Sequence, residues 1–350
     1  CYTEYRKVNI MKAVQIVKPN DLRIIDMPKP EITEHDNVLV KIKASGICGS
    51  DVGIYHGTNA AATYPRVIGH EIVGEIVEVG SNVKTRKLGE RVIIDQVTAC
   101  GHCYACRKSR PNVCHNLQVR GVHIDGGYRE FMAVPESDCY VIPDFLEYKD
   151  AVMIEPTTIA VQACSRAQLE SEDDVLIIGA GALGSSLLRI VRLFNPHSIT
   201  MADIDAGRLD EAMKNGATAV INSKSEDLVK RAKELTGGYG PTVTIDAACV
   251  KGSLLSACQA AGNATRVITM GFSIAPDEIN QFVITSKELD IRGSRLQNRK
   301  FGEVIKLVNE RKVNLQGAVS HTFPFLEAQK AFDFVDSRDP SIRKISLMFD

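Results

Sequence analysis

The chain has 350 residues, 44% of them hydrophobic and 24% charged, a balance that excludes a disordered or fibrous protein and fits about two globular domains. Its 42 lysines and arginines against 43 aspartates and glutamates leave a net charge of −1, which gives no electrostatic grip on nucleic acid. The longest apolar run, residues 175–188, is too short to span a bilayer and is interrupted by glycines and by Ser185 and Ser186. No charged-then-apolar leader opens the chain, so neither export nor membrane insertion is expected, and the cytoplasm is the expected location. The first ten residues, Cys1 to Ile10, read as an extension ahead of Met11.

From Lys12 to about Pro143 the pattern is one of strands and loops. Val38 to Lys43 and Glu71 to Val79 alternate with the two-residue period of half-buried strands, and turn chemistry such as Lys18-Pro19-Asn20-Asp21 separates such stretches. From about Asp174 strands alternate with helices. Short apolar runs at Val175–Ile178, Ser198–Ala202, Ala219–Ile221, Thr242–Ile245 and Thr265–Ile268 leave room for helices between them, which predicts a parallel sheet with helices on both faces. A helical run from Phe301 to Asn309 leads into a last strand near Lys344–Met348. The organisation expected is a β-rich domain over 11–160, an inserted α/β domain over 161–297 and a return to the first domain over 298–350.

Ten cysteines are many for a reduced compartment, and four of them, Cys100, Cys103, Cys106 and Cys114, fall within 15 residues. Four thiolates suit tetrahedral Zn2+ in a closed structural site, with free buried thiols or an iron–sulfur cluster as the alternatives. A second set is dispersed: Cys48 at the end of a strand, His70 and Glu71 after Gly69, and Glu155 before Pro156. A thiolate, an imidazole and a carboxylate together suit a zinc site that keeps a place for substrate. Taken singly, each also reads as a buried thiol, a core histidine or a helix-start carboxylate.

Gly179-Ala180-Gly181-Ala182-Leu183-Gly184 fits the G-x-G-x-x-G pattern, and an apolar strand precedes it while a helical run, Leu187 to Phe194, follows. A pyrophosphate would meet the helix N-terminus there. Asp203 ends the next strand, 19 residues after Gly184, where a carboxylate accepts bonds from an adenosine ribose and repels a 2′-phosphate. No arginine directly follows it, so NAD is expected over NADP.

These motifs, in this order, resemble those of the zinc-dependent medium-chain alcohol and polyol dehydrogenases. The stretches Tyr64–Glu71, Cys100–Cys103, Gly121–His123, Asp125–Gly127, Ala151–Pro156 and Ile245–Cys249 are more similar still to the sugar-acid dehydrogenase branch. The resemblance runs from about Met11 to the end. It implies a GroES-like catalytic domain carrying two zincs, one catalytic and one structural, and an inserted Rossmann domain, with the active site between them. Carried over, it makes Cys48, His70 and Glu155 catalytic zinc ligands, and Glu71 either a direct ligand or an outer carboxylate. Asp51 would receive the other ring N–H of His70, Ser50 would take the substrate proton, and Thr157 and Thr158 would approach the nicotinamide. Many relatives carry a histidine three residues after that serine; this chain has Gly53, with Tyr55 and His56 just beyond, so either His56 substitutes or the proton leaves through the cofactor ribose and water.

The activity implied is hydride transfer to NAD from a secondary alcohol of a small-molecule sugar acid, an aldonate such as gulonate, idonate or galactonate. Arg295 is the candidate for gripping the carboxylate, with His123 as a further polar contact. The alternatives are a sorbitol-type polyol or threonine dehydrogenase, or a non-catalytic relative that senses NAD or a metabolite. The family usually forms homodimers or homotetramers.

Overall fold

The computed structural model describes residues 9–272, 274 and 276–350, so residues 1–8 of the expected extension lie outside the described residues. Ile10, assigned to that extension, opens a strand, Ile10–Lys18, which pairs antiparallel with Asp21–Pro28. The turn signal at residues 18–21 is the hairpin between them.

The chain divides into two compact units, residues 1–155 with 314–350, and residues 156–313. The first unit is β-rich. Its main sheet has seven strands, with Asn37–Ile47 at the centre, paired antiparallel with Glu71–Val79, with Phe131–Pro135 and with the final strand Ile345–Met348. The alternation at residues 71–79 predicts one wet face, yet Glu71, Ile72, Val73 and Gly74 are all buried. This half of the strand pairs on both edges, with Asn37–Ile47 and Arg91–Ile94, and the burial of four consecutive residues shows that both of its faces are covered. A carboxylate at Glu71 is thereby forced to find polar partners inside the sheet.

The second unit is a sheet of six parallel strands: Asp174–Ile178, Ser198–Asp203, Ala219–Asn222, Val243–Asp246, Arg266–Thr269 and Asp290–Gly293. Their spatial order is third, second, first, fourth, fifth, sixth, the doubly wound order that binds dinucleotides where the direction reverses. Leu176, Ile178, Ala202, Ile221 and Val267 supply the core on one face, against Ala232 and the helix Ser253–Ala260. The β-rich and doubly wound units match the fold expected from the sequence.

The boundaries differ from those expected. The second unit begins at Pro156 and runs to Val313, so the helix Phe301–Asn309 belongs with it and the return starts at Asn314. Phe301, Val304 and Val308 bury one face of that helix, and helical periodicity records that a face is apolar without recording which core receives it. Among the described residues no helix is long and apolar enough to cross a membrane.

Candidate metal centres and dinucleotide turn

The cysteine lobe is compact. Sγ of Cys103 lies 3.5 Å from that of Cys106 and 3.8 Å from that of Cys114, which is 3.4 Å from that of Cys100. A tetrahedron with Zn–S bonds of about 2.3 Å has edges of about 3.8 Å, so the four sulfurs fit one zinc. Backbone donors point at two of the sulfurs: Cys100 N–H donates to Cys114 Sγ at 3.3 Å, and His115 N–H to Cys103 Sγ at 3.5 Å. The bond from His115, then one from Cys106, draws the Cys103 thiol down to about 6. Cys106 moves the other way, to about 12, through desolvation and then its sulfur neighbours, so filling the site must displace protons.

The dispersed set also comes together, in part. Cys48, His70 and Glu71 present ligand atoms all within 4.8 Å of one another. Cys48 caps the short helix Gly49–Tyr55, and His70 and Glu71 stand where the chain enters the strand Glu71–Val79. Asp51 is fully buried beneath them; its carboxylate accepts from the backbone N–H of Cys48 at 2.9 Å and of Gly69 at 3.2 Å. His70 Nδ1 lies 3.4 Å from Asp51 Oδ1 without the alignment of a hydrogen bond, while Nε2 is 3.4 Å from the Ser50 hydroxyl. Burial alone would lower His70, but the Asp51 carboxylate and Cys48 sulfur outweigh it and hold the imidazole well above its usual value.

Glu155 falls outside the tight trio. It sits in the first turn of the helix Ile154–Ala167 and accepts a hydrogen bond from Gln96 Nε2. Burial pushes it up to about 8, with His70 opposing and Glu71 reinforcing the shift. Glu71 Oε2 has no hydrogen-bond partner although it is buried. Soft sulfur, imidazole and an unsatisfied carboxylate oxygen form a donor set that fits Zn2+. Thr157 and Thr158 follow on the same helix and are fully buried.

The glycine turn has the expected form. Gly181 caps the helix Ala182–Val191, and a Cβ on Gly184 would lie 1.8 Å from the Gly179 carbonyl oxygen, so the third glycine is what lets helix and strand touch. A Cβ on Gly181 would meet nothing nearer than Arg208, 3.9 Å away, so space beside the turn is open. Asp203 accepts from Ala180 N–H at 2.6 Å and from Asp205 N–H at 3.0 Å, which fixes its carboxylate beside the turn.

Comparison with known proteins agrees with this geometry. The alcohol dehydrogenase GroES-like domain matches residues 34–144, and the zinc-binding dehydrogenase domain matches residues 182–310. The starvation-sensing protein RspB of Escherichia coli K12 is 40% identical over 342 residues, covering 97% of this chain and 99% of that protein. The chain belongs to the zinc-type alcohol dehydrogenase family. The sorbitol dehydrogenase of Bacillus subtilis is 29% identical, over 92% of this chain and 93% of that one. The rspB crystal structure from E. coli CFT073, a complex with NADH, superposes with a TM-score of 0.90 at 39% identity, covering 97% of this chain and 99% of that chain.

Within this zinc-type dehydrogenase, the remaining expected residues lie as follows. His56 uses both ring nitrogens elsewhere, on Asn20 Oδ1 at 3.0 Å and Asp336 Oδ1 at 2.9 Å, which takes it out of a relay from Ser50. His123 accepts the N–H of Val119 at 3.1 Å through Nδ1, inside the tight turn that follows the cysteine lobe. Arg295 lies over the ring of Phe272 with its guanidinium carbon 4.6 Å from the centroid, and desolvation lowers it from its usual value.

Sequence reasoning missed four residues. Lys344 and Gln96 hold the two carboxylates, Tyr128 donates to the Gly46 carbonyl at 3.1 Å and lies 3.4 Å from Asp51, and Arg208 reaches toward Gly181. Only Arg208 left a local signal, since Asp205 caps the helix that carries it through the backbone N–H of Arg208.

Proposed function

We propose that the chain oxidises a secondary alcohol of a sugar acid with NAD, giving the ketone, a hydride to the nicotinamide and a proton to solvent. The observation that carries this reading is the convergence of Cys48, His70 and Glu71 with the Ser50 hydroxyl 3.4 Å from His70 Nε2. Cys48 and His70 would hold the catalytic zinc with a carboxylate, from Glu71 or Glu155; the four lobe cysteines would hold the structural one. Zinc, when bound, acidifies a ligating alcohol and orients its carbon. Ser50 takes the hydroxyl proton, and Asp51 orients His70 from behind. With His56 occupied, the proton leaves through the cofactor ribose and water.

Asp203 would accept from the ribose hydroxyls, and the NADH complex of the rspB structure supports NAD. Asp203→Ala should raise KM for NAD about ten- to hundredfold, the value of a charge-assisted hydrogen bond, and relax discrimination against NADP. Steady-state kinetics with both cofactors checks this, and a wild type equally efficient with NADP would contradict it.

Arg295 would grip the substrate carboxylate, its orientation set by the Phe272 ring. A panel of aldonates and neutral polyols, followed by NADH absorbance, tests the substrate class. Arg295→Leu should lower kcat/KM for the aldonate about ten- to hundredfold and leave polyol turnover much less affected. Equal loss on both substrates, or on neither, returns the lead to a polyol substrate, which the sorbitol dehydrogenase relative favours. The strand Asp290–Gly293 edges its sheet, and Phe282 is exposed, which supports a homodimer or homotetramer.

A further inference from the structure

Tyr128 joins the two segments that carry Cys48 and His70. Its main chain lies along the approach to His70: the N–H groups of Gly126, Gly127 and Tyr128 donate to the carbonyls of Val67, Gly69 and Ile68 at 2.7, 2.9 and 2.9 Å. Its side chain reaches the approach to Cys48, where the hydroxyl donates to the Gly46 carbonyl at 3.1 Å. The same hydroxyl lies 3.4 Å from Oδ2 of Asp51, the oxygen that also accepts the Cys48 N–H at 2.9 Å. One residue from a third segment thus touches both sides of Cys48 and the residue before His70.

The packing around Tyr128 is tight, and its side chain is fully buried. Gly69 has a φ of +93°, and a Cβ there would lie 2.2 Å from the Tyr128 ring, so the ring fills the space that any other residue would need. A Cβ on Gly126 would lie 2.1 Å from the Gly69 carbonyl oxygen, so the two segments meet backbone to backbone. Burial, then the Asp51 carboxylate, hold the phenol well above its usual value, so the hydroxyl keeps its proton and remains a donor. A close-packed interior transmits a displacement instead of absorbing it. Zinc bonds of about 2.3 Å to sulfur and about 2.0–2.1 Å to nitrogen leave little tolerance for one.

We infer that Tyr128 is a positioning residue: its hydroxyl, set between Gly46 and Asp51 while its ring bears on Gly69, fixes the separation of the Cys48 sulfur and the His70 imidazole. This inference rests on the proposed catalytic zinc. Asp51 links the same two segments from the Cys48 side, accepting from the Gly69 N–H at 3.2 Å, so loss of the hydroxyl should loosen the pair without separating it. The result is weaker zinc at this site alone, because the four lobe cysteines share no residue with these contacts.

The test is equilibrium competition for zinc by a chromogenic chelator, following the equivalent that is absent from Cys48→Ser. Tyr128→Phe, which keeps the ring on Gly69 and removes one oxygen, should weaken that equivalent about tenfold, the lower end of outer-shell effects at metal sites. The lobe equivalent should keep its wild-type affinity. With cobalt in the weakened site, the visible bands, which report ligand geometry, should shift, a change that a purely structural tyrosine would not give. Incorporation of 4-fluorophenylalanine at position 128 fills the volume of the hydroxyl without donating; it serves if the phenylalanine variant fails to fold and should weaken the same equivalent. A folded variant with wild-type affinity and wild-type cobalt bands overturns the inference, and so does equal weakening of both zincs. Wild type that binds a single zinc per chain overturns the functional reading, and this inference with it.

Discussion

Cys48→Ser should abolish alcohol oxidation while the fold survives. The substitution removes the sulfur from the Cys48, His70 and Glu71 trio but touches no core contact of comparable weight, since Cys48 is half-buried at a helix cap. Lewis-acid activation supplies several kcal/mol, and about 1.4 kcal/mol is a factor of ten in rate, so kcat/KM should fall at least about a thousandfold. Zinc should drop by one equivalent, with near-native circular dichroism and an unchanged thermal midpoint for the second unit. Retention of a tenth or more of the activity would remove Cys48 from the catalytic set.

Cys103→Ser should act through stability. The lobe has little apolar core of its own: its helix Tyr104–Arg107 buries no residue, and Tyr104 is 70% exposed. The four sulfurs therefore hold it together largely through the metal, and structural zinc sites in small peptides bind with about 10–16 kcal/mol. A loss of even about 3 kcal/mol would lower Tm by roughly 6–12 °C in a unit of this size. Calorimetry with metal analysis checks it; one zinc lost with Tm unchanged would mean that the lobe folds without its metal.

What the sequence disclosed follows from distance along the chain. The cysteine lobe spans 15 residues and the glycine turn six, so the residues that act together also stand together and their spacing is readable. Strand periodicity marked strands of the two largest sheets, and the helix Phe301–Asn309 was legible to its ends. Its membership was not, because an apolar stripe does not name its partner. Lys344 was hidden for a stronger reason. It meets Glu71 across 273 positions through the register of three strands, and register is a property of the folded sheet. Gln96 reaches Glu155 across 59 positions, from a loop to the first turn of a helix, with no local pattern to announce it. The proton route was left open between His56 and the cofactor ribose for a related reason: the partners of the His56 ring, Asn20 and Asp336, are distant in sequence.

The most direct measurement is formation of NADH from a panel of aldonates and polyols by purified protein, before chelation, after it, and after zinc is restored. The account predicts turnover of an aldonate with NAD that disappears on removal of zinc, returns with zinc, and is absent throughout in Cys48→Ser. Turnover that survives complete removal of zinc, or a zinc-replete protein that oxidises no member of the panel, would contradict it.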